Sequence, residues 1–311
     1  MKKLYFTSML LVMLSIDMHA QQDPHYTQYM YNMNVMNPAY AGSKENLALG
    51  LLYRQQWVNI EGAPKTATLS AHSPVGKNVG LGLSVISDKI GPVEENNIYT
   101  DFSYTLNLGE DRRLAFGLKA GATFHKVGLF SEIGNGYVQQ SGDPAFSENT
   151  SNTYLNLGGG FFYYTNKYYV SFSVPNIMKS THLDVTNNGE EFQFGNETPH
   201  YFLTGGYVFD LSENTKFKPS VMVKSAFNAP TSFDVSANFL FFEKFEAGAS
   251  YRLDDSFSGM VNYTITPNIR IGYAYDYIVS DLKTTTQGSH ELMLLFDLNF
   301  PKKVSVSPRF F

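Results

Sequence analysis

The sequence predicts an all-β protein, a transmembrane antiparallel β-barrel of about 14 strands of the outer-membrane type. Three observations predict it. The chain begins like an export signal, and about fourteen segments of alternating apolar and polar residues follow between Leu47 and Phe300. No later stretch is apolar over the roughly 20 residues that a membrane-spanning helix needs. An exported chain with an even number of alternating strands is typical of outer-membrane barrels.

The first 20 residues are interpreted as a signal peptide. A basic start at Met1–Lys3 precedes an apolar run over Leu4–Ile16, and Ala20 offers a small residue at the expected cleavage site, which leaves Gln21 as the predicted mature N-terminus. The predicted divisions of the chain are a signal peptide at 1–20, an N-terminal periplasmic or plug segment at 21–45, the transmembrane β-barrel at 46–300 and a periplasmic C-terminal tail at 301–311.

Alternation with a period of two gives each predicted strand an apolar face and a small, polar or charged face. In the segment 114–124, Phe116 and Leu118 lie on the apolar face, whereas Gly117 and Lys119 lie on the other. A membrane barrel turns its apolar face to lipid, and a water-soluble barrel turns it inward. Alternation alone therefore does not separate the two. The predicted strands are 46–58, 64–73, 78–88, 96–109, 112–127, 152–165, 167–174, 199–211, 215–227, 231–242, 244–254, 256–266, 268–280 and 289–300.

The lengths of the connections favour the membrane barrel over a soluble β-sandwich. Every second predicted connection is short, and the intervening ones include the long pieces 128–151, 175–198 and 281–288. Outer-membrane barrels have short periplasmic turns and longer outer loops. With an even number of strands, this pattern puts both chain termini in the periplasm.

Composition excludes several classes of function. The chain has 311 residues, no cysteine and a net charge of -5. The lack of cysteine excludes disulfides and thiolate metal sites, and the negative charge argues against nucleic acid as a partner. The 21 Tyr and 25 Phe are expected where aromatic rings line the two membrane interfaces.

Signals of an enzyme are missing from the sequence. The histidines at 72, 125, 182, 200 and 290 have no neighbouring ligands at metal spacing. Neither a Gly-x-Ser-x-Gly elbow nor a P-loop occurs. The sequence therefore predicts a protein that is not an enzyme and carries no cofactor. A barrel-borne lipid hydrolase with a Ser–His pair is kept as a rival hypothesis.

Short motifs spread over the whole chain are similar to those of one protein family. The motifs are Gln22-Asp23-Pro24, Tyr26-Thr27-Gln28-Tyr29-Met30, Asn37-Pro38-Ala39-Tyr40-Ala41-Gly42, Tyr53-Arg54-Gln55-Gln56-Trp57, Ser87-Asp88-Lys89-Ile90-Gly91-Pro92, His290-Glu291-Leu292 and Ser307-Pro308-Arg309-Phe310-Phe311. In their order and spacing they resemble the PorP/SprF family of type IX secretion system membrane proteins, which is found in gliding and secreting Bacteroidota.

The resemblance implies an outer-membrane component of the type IX protein secretion or gliding machinery. It implies binding of a secreted surface protein, of the periplasmic ring components, or of both, in support of export or surface anchoring. The partners so implied are type IX secretion components and the C-terminal signal domain of a secreted adhesin or other surface protein; the barrel itself implies outer-membrane lipid. The alternative is an independent outer-membrane porin or nutrient transporter.

Candidate partner-binding residues come from the N-terminal segment, the predicted inward faces of the strands and the tail. The motif 37–42 either locks the N-terminal segment against the barrel or is a plain turn. Arg54 either contacts a substrate segment or pairs with a wall carboxylate. Tyr53 and Trp57 are predicted membrane-interface anchors. The partner-binding candidates are Asn37, Pro38, Tyr40, Gly42, Arg54, Gln56, Lys119, Arg252, Arg270, Asp276, Arg309, Phe310 and Phe311.

Overall fold

The alternating segments fold into a closed antiparallel β-barrel. The structure is a computed structural model. It describes residues 24–44, 46–128, 150–178, 181–187, 190–196, 198–226 and 229–299. The strands are β1 (Asn46–Gln55), β2 (Lys65–Pro74), β3 (Val79–Ile90), β4 (Val93–Asn107), β5 (Arg113–Val127), β6 (Thr150–Tyr164), β7 (Tyr168–Val174), β8 (Thr181–Asn187), β9 (Glu190–Asn196), β10 (His200–Tyr207), β11 (Phe209–Ser212), β12 (Thr215–Ala226), β13 (Ala229–Phe241), β14 (Phe245–Arg252), β15 (Ser256–Thr266), β16 (Ile269–Ile278) and β17 (Ser289–Asn299).

The strands follow one another around the barrel in chain order, and β1 pairs with β17 to close it. β10 and β11 are separated only by Val208, and both pair with β12, so they are two halves of one strand. The closed barrel therefore has 14 strands, as the sequence predicts. β8 and β9 form a separate two-stranded hairpin in the connection between β7 and β10.

The predicted strand bounds agree with the observed ones to within three residues. Two features of the connections differ from the prediction. The hairpin β8–β9 lies within a piece predicted as a plain loop. The turn between β3 and β4 shrinks to Gly91 and Pro92, because both strands extend further than their alternation indicates; Gly91 takes φ +55°, a left-handed value that suits glycine.

Burial alternates along the strands with the expected period of two. On β5, Leu118 is 67% exposed on the outer face, whereas its neighbour Lys119 is only 1% exposed in the interior. Phe116 and Gly117 alternate in the same way. The outer face is thus apolar and the inner face polar, which is the arrangement of a barrel in lipid and the reverse of a water-soluble one.

The two rims of the barrel differ in their connections. The short-turn rim carries the connections 75–78, 108–112, 165–167, 213–214, 242–244 and 267–268. The long-loop rim carries the connections 56–64, 91–92, 128–149, 175–199, 227–228, 253–255 and 279–288. Helical residues are few, and none of the helices in the described ranges has the length and apolar character needed to cross a membrane.

Single cysteines can test which face meets lipid, because the chain has no native cysteine. We expect bimane on Leu118→Cys to be quenched by nitroxides carried in the middle of the acyl chains, since Leu118 is exposed on the apolar wall. Bimane on Leu253→Cys, in a turn of the long-loop rim, serves as the control and should respond to aqueous iodide instead. The opposite pattern at the two positions would contradict the assignment of the faces.

Candidate functional site in the barrel lumen

Residues 24–44, which we call the lumen segment, run through the barrel from one rim to the other. His25 lies at the long-loop rim, beside His200 at the start of β10. Lys44 lies at the opposite rim, where its Nζ is 3.3 Å from a carboxylate oxygen of Asp297 near the end of β17. The segment therefore crosses the lumen before the chain enters β1.

The lumen segment contacts the inward faces of strands on several sides of the barrel. Tyr29 Oη donates a hydrogen bond to Ser220 Oγ of β12 at 3.0 Å. Across the lumen, Asn34 Nδ2 donates to Asp101 of β4 at 3.4 Å. The apolar side chains that the segment buries against the wall are Tyr26, Tyr29, Met30, Met33, Val35, Met36, Ala39 and Tyr40. The interior is thus occupied by the protein's own chain.

One buried cluster centres on Arg54 of β1, and we call it the Arg54 cluster. The guanidinium lies 2.6 Å from Asp276 of β16 and 3.3 Å from Glu291 of β17. Thr27 of the lumen segment joins it, because its hydroxyl accepts from Arg54 at 2.9 Å and donates to Asp276 at 2.8 Å. The backbone N–H groups of Thr27 and Gln28 donate to the two oxygens of Glu291, at 2.9 and 2.8 Å.

Through the Arg54 cluster, the lumen segment supplies hydrogen bonds that the buried charges of the wall need. All three charged side chains are at most 2% exposed. A buried carboxylate is costly unless its oxygens are hydrogen-bonded, and Glu291 obtains two of its bonds from the backbone of the lumen segment. Two of the sequence candidates, Arg54 and Asp276, therefore meet here.

A second buried cluster surrounds Tyr31, where the lumen segment passes close to the short-turn rim. The Tyr31 hydroxyl donates to Glu246 of β14 and accepts from Lys218 Nζ of β12 at 2.7 Å. Lys218 also lies 2.9 Å from Glu246. The guanidinium of Arg270, another sequence candidate, stands 5.4 Å from the centre of the Tyr31 ring, within cation–π range.

The corner 37–42 fixes the lumen segment to a third part of the wall. Asn37 Nδ2 donates to the carbonyl of Phe161 at 2.9 Å and to Ser171 Oγ at 2.6 Å. Its Oδ1 accepts from the Ala39 N–H at 2.9 Å and so caps the short 3-10 turn Pro38–Tyr40, whose first position suits proline. The motif is therefore a turn, and the side chain that caps it also bonds the wall.

Close backbone approach holds the corner in place. Gly42 has φ +71° and donates its N–H to His72 Nδ1 of β2 at 3.2 Å. The Tyr40 ring packs edge-on against His72, with ring centres 5.2 Å apart. On β5, a Cβ added to Gly117 would fall on the backbone of Ala39. Only glycine leaves room at that point of the wall.

The remaining candidates lie at separate places. Lys119 forms a salt bridge of 2.7 Å with Asp101 on the inner face of the barrel. Arg252 donates two hydrogen bonds, of 2.8 and 3.2 Å, to the carboxylate of Asp234. Tyr53 is 45% exposed on the apolar outer face. The tail candidates Arg309, Phe310 and Phe311 fall outside the described residues.

Trp57 does not lie on the outer face that its predicted role requires. β1 ends at Gln55, and Trp57 takes φ +47°, so the alternation that points it outward stops before it. Trp57 and Gln56 instead line a cavity of about 260 Å³ at the long-loop rim. His25, His200, Lys224, Ser232 and Arg252 also line it. We call this the rim cavity.

Several residues of the site escape sequence reasoning. Thr27, Tyr31 and His25 belong to a segment without strand periodicity, so nothing in its pattern indicates which side chains meet the wall. Lys218 and Lys224 could have been predicted to face the lumen, because both fall on the buried face of β12 at even spacing. Within the described ranges, no group of three or more His, Asp or Glu side chains is placed to hold a metal ion.

Sequence comparison decides the family. Residues 18–296 match the family described as type IX secretion system membrane protein PorP/SprF. The chain belongs to the PorP/SprF family. The match confirms the resemblance inferred from the motifs, and it makes the protein an outer-membrane component of type IX secretion. No curated protein sequence matches the chain significantly.

Solved structures similar to this PorP/SprF family protein are outer-membrane barrels. The CymD monoaromatic hydrocarbon channel is 14% identical, with a TM-score of 0.51 over 88% of this chain and 93% of that one. The P. putida toluene transporter TodX is 10% identical, with a TM-score of 0.50 over 86% of this chain and 94% of that one. At these identities the likeness shows the fold alone.

Breaking the Arg54 cluster should destabilise the barrel strongly. Arg54→Met leaves two buried carboxylates without their cation, which typically costs ~3–5 kcal/mol. The exposed pair Arg112–Glu110 offers a matched control, since Arg112→Met should change the free energy of unfolding by less than about 1 kcal/mol. Urea unfolding from lipid bilayers measures both, and equal effects of the two substitutions would rule out a special role for the cluster.

A methyl group at Gly117 should displace the corner of the lumen segment. We expect Gly117→Ala to lower the free energy of unfolding by about 1–3 kcal/mol, because backbone rather than a flexible side chain occupies the space. Gly159→Ala on the paired strand is the control, as its added carbon would meet only the Gly117 carbonyl, at 3.6 Å. If both variants unfold like the parent, the corner does not pack against β5 as described.

Proposed function

We propose that this PorP/SprF family protein acts by binding and not by conduction. It holds a secreted surface protein at the long-loop rim, the periplasmic ring components at the short-turn rim, or both, and so supports export or surface anchoring. The observation that carries the proposal is that the lumen segment fills the barrel. No catalytic role is part of it.

Three sets of contacts favour a permanently occupied lumen over an open pore. The Arg54 cluster, the Tyr31 cluster and the corner 37–42 bind the lumen segment to different parts of the wall. Withdrawal of the segment would leave Glu291, Lys218 and Glu246 with fewer partners in the interior, and such groups are costly when unpaired. CymD is described as a channel and TodX as a transporter, and this keeps the porin or transporter as the alternative.

The proposed orientation places the short-turn rim in the periplasm and the long-loop rim outside the cell, as is usual for outer-membrane barrels. His25 then lies at the outer rim and Asn299 at the periplasmic rim. The prediction that both termini lie in the periplasm concerns residues outside the described ranges, and it stays a prediction. The outer rim offers the surface for an exported partner, because the longer connections lie there.

Conductance in planar bilayers separates binding from transport. The purified protein should show no steady channel, because the lumen segment fills the interior. A variant lacking residues 24–42 should show one, since the polar inner face remains without its filling. A steady channel in the unaltered protein would favour the porin or transporter.

Surface display in cells tests the function itself. Deletion of the gene should reduce the amount of at least one type IX substrate on the cell surface, measured by protease shaving of intact cells and mass spectrometry. Restoring the gene should restore the display. Normal display of every type IX substrate after deletion would refute the proposal.

A further inference from the structure

The rim cavity joins the start of the lumen segment to the inner wall at the long-loop rim. His25 comes from the lumen segment, and Lys224, Ser232 and Arg252 come from the inward faces of β12, β13 and β14. Trp57 closes it from the connection after β1. With about 260 Å³, the rim cavity is smaller than the usual drug-sized site and suits a single end group.

Two buried polar atoms belong to residues that line the rim cavity. The Trp57 indole nitrogen and the Ser232 hydroxyl oxygen are both buried, and neither makes a hydrogen bond within the described residues. An indole N–H can only donate, so it needs an acceptor. A buried donor without an acceptor is uncommon and costly, and each such case calls for an explanation. A ligand that brings acceptor oxygens would supply one.

One buried cation of the lining also favours an acceptor that carries negative charge. Lys224 and Arg252 are the basic lining residues, and Asp254 and Asp255 are the acidic ones. Arg252 is already paired with Asp234 at 2.8 Å and with Asp255 at 3.2 Å, and Asp254 is exposed in its turn. The positive charge that the proposed ligand meets is therefore that of Lys224, which is buried.

We propose that the rim cavity binds a carboxylate of a partner polypeptide, either its C-terminal carboxylate or an Asp or Glu side chain. The Trp57 N–H, the Ser232 hydroxyl and the Lys224 ammonium group recognise it. This rests on the proposed function, because it names the chemistry by which an exported partner is held at the outer rim.

The position of the rim cavity favours a polypeptide over a lipid. Its wall residues Lys224, Ser232 and Arg252 lie on the inner face of the barrel, and the bilayer meets the outer face. A partner polypeptide would approach this inner face from the aqueous side of the long-loop rim. A lipid headgroup in the bilayer would have to pass over the rim.

Tryptophan fluorescence reports on this place alone, because Trp57 is the only tryptophan in the chain. The full-length protein in detergent micelles is titrated with three peptides and one salt. The probes are acetyl-Gly-Ser-Gly-Ser with a free C-terminus, acetyl-Gly-Ser-Glu-Ser amide, acetyl-Gly-Ser-Gly-Ser amide and inorganic phosphate. We expect one or both carboxylate peptides to give a saturable change that weakens with salt, and the neutral amide to give none.

The first two peptides distinguish a chain terminus from an acidic side chain. An equal response to the neutral amide would overturn the proposal, and so would the lack of any response to the carboxylate peptides. A response to phosphate without a response to either carboxylate peptide would show a site for small anions only and would equally overturn it.

Substitutions link the signal to the named groups. Lys224→Gln should lower the affinity for the carboxylate peptide at least tenfold, and Ser232→Ala should lower it about fivefold. Trp57 remains as the reporter in both variants. Lys244→Gln, at an exposed turn of the short-turn rim, is the matched control and should leave the affinity unchanged. Urea unfolding of each variant shows whether the barrel is intact. Unchanged affinity in an intact Lys224→Gln barrel would contradict the proposal.

Surface display in cells that carry Lys224→Gln separates this inference from the proposed function. We expect reduced display of the same type IX substrate that gene deletion affects. If gene deletion reduces display and Lys224→Gln leaves display normal, the proposed carboxylate site is refuted, whereas the proposed binding function is not. If deletion itself has no effect, the proposed function fails, whatever the peptides do.

Discussion

The hydrogen bonds that the lumen segment makes to buried charges of the wall are the constraint on which the rest of the structure depends. Arg54, Asp276 and Glu291 lie on three neighbouring strands of the closed barrel and would carry a net negative charge in a space with little water. Backbone and hydroxyl groups of residues 27–28 make hydrogen bonds to all three side chains. Because burial of unpaired charge is costly, the barrel holds its own chain in the lumen.

The occupied lumen shapes what the protein can do. A lipid-facing barrel with a polar interior is common to channels and to binding proteins, so the wall by itself does not decide between them. The lumen segment is what supports the proposed binding role over conduction, because it meets the wall at both rims and in between. In that proposal the two rims offer the surfaces for partners, and the long-loop rim has a cavity lined by Trp57, Ser232 and Lys224.

Barrel architecture could be predicted from the sequence to within three residues at each strand end, because lipid and water impose opposite demands on successive side chains of a strand. The inward charges follow from the same rule, and Lys119 and Asp276 are buried as their positions in the alternation require. The hairpin β8–β9 was not predicted, because it lies in a connection outside the barrel wall and is not subject to the opposite demands of lipid and water. Trp57 was misplaced because a left-handed residue ends the alternation.

By itself the sequence determined the strands, the two faces, the unequal rims and the PorP/SprF family, because each is written in local periodicity, turn residues or motif order. Only the tertiary structure decided where residues 24–44 lie and which charges they join. Thr27 and Glu291 are 264 positions apart in the chain, and no local pattern links them. Their contact arises only when the barrel closes and brings buried polar groups of the lumen segment and the wall together.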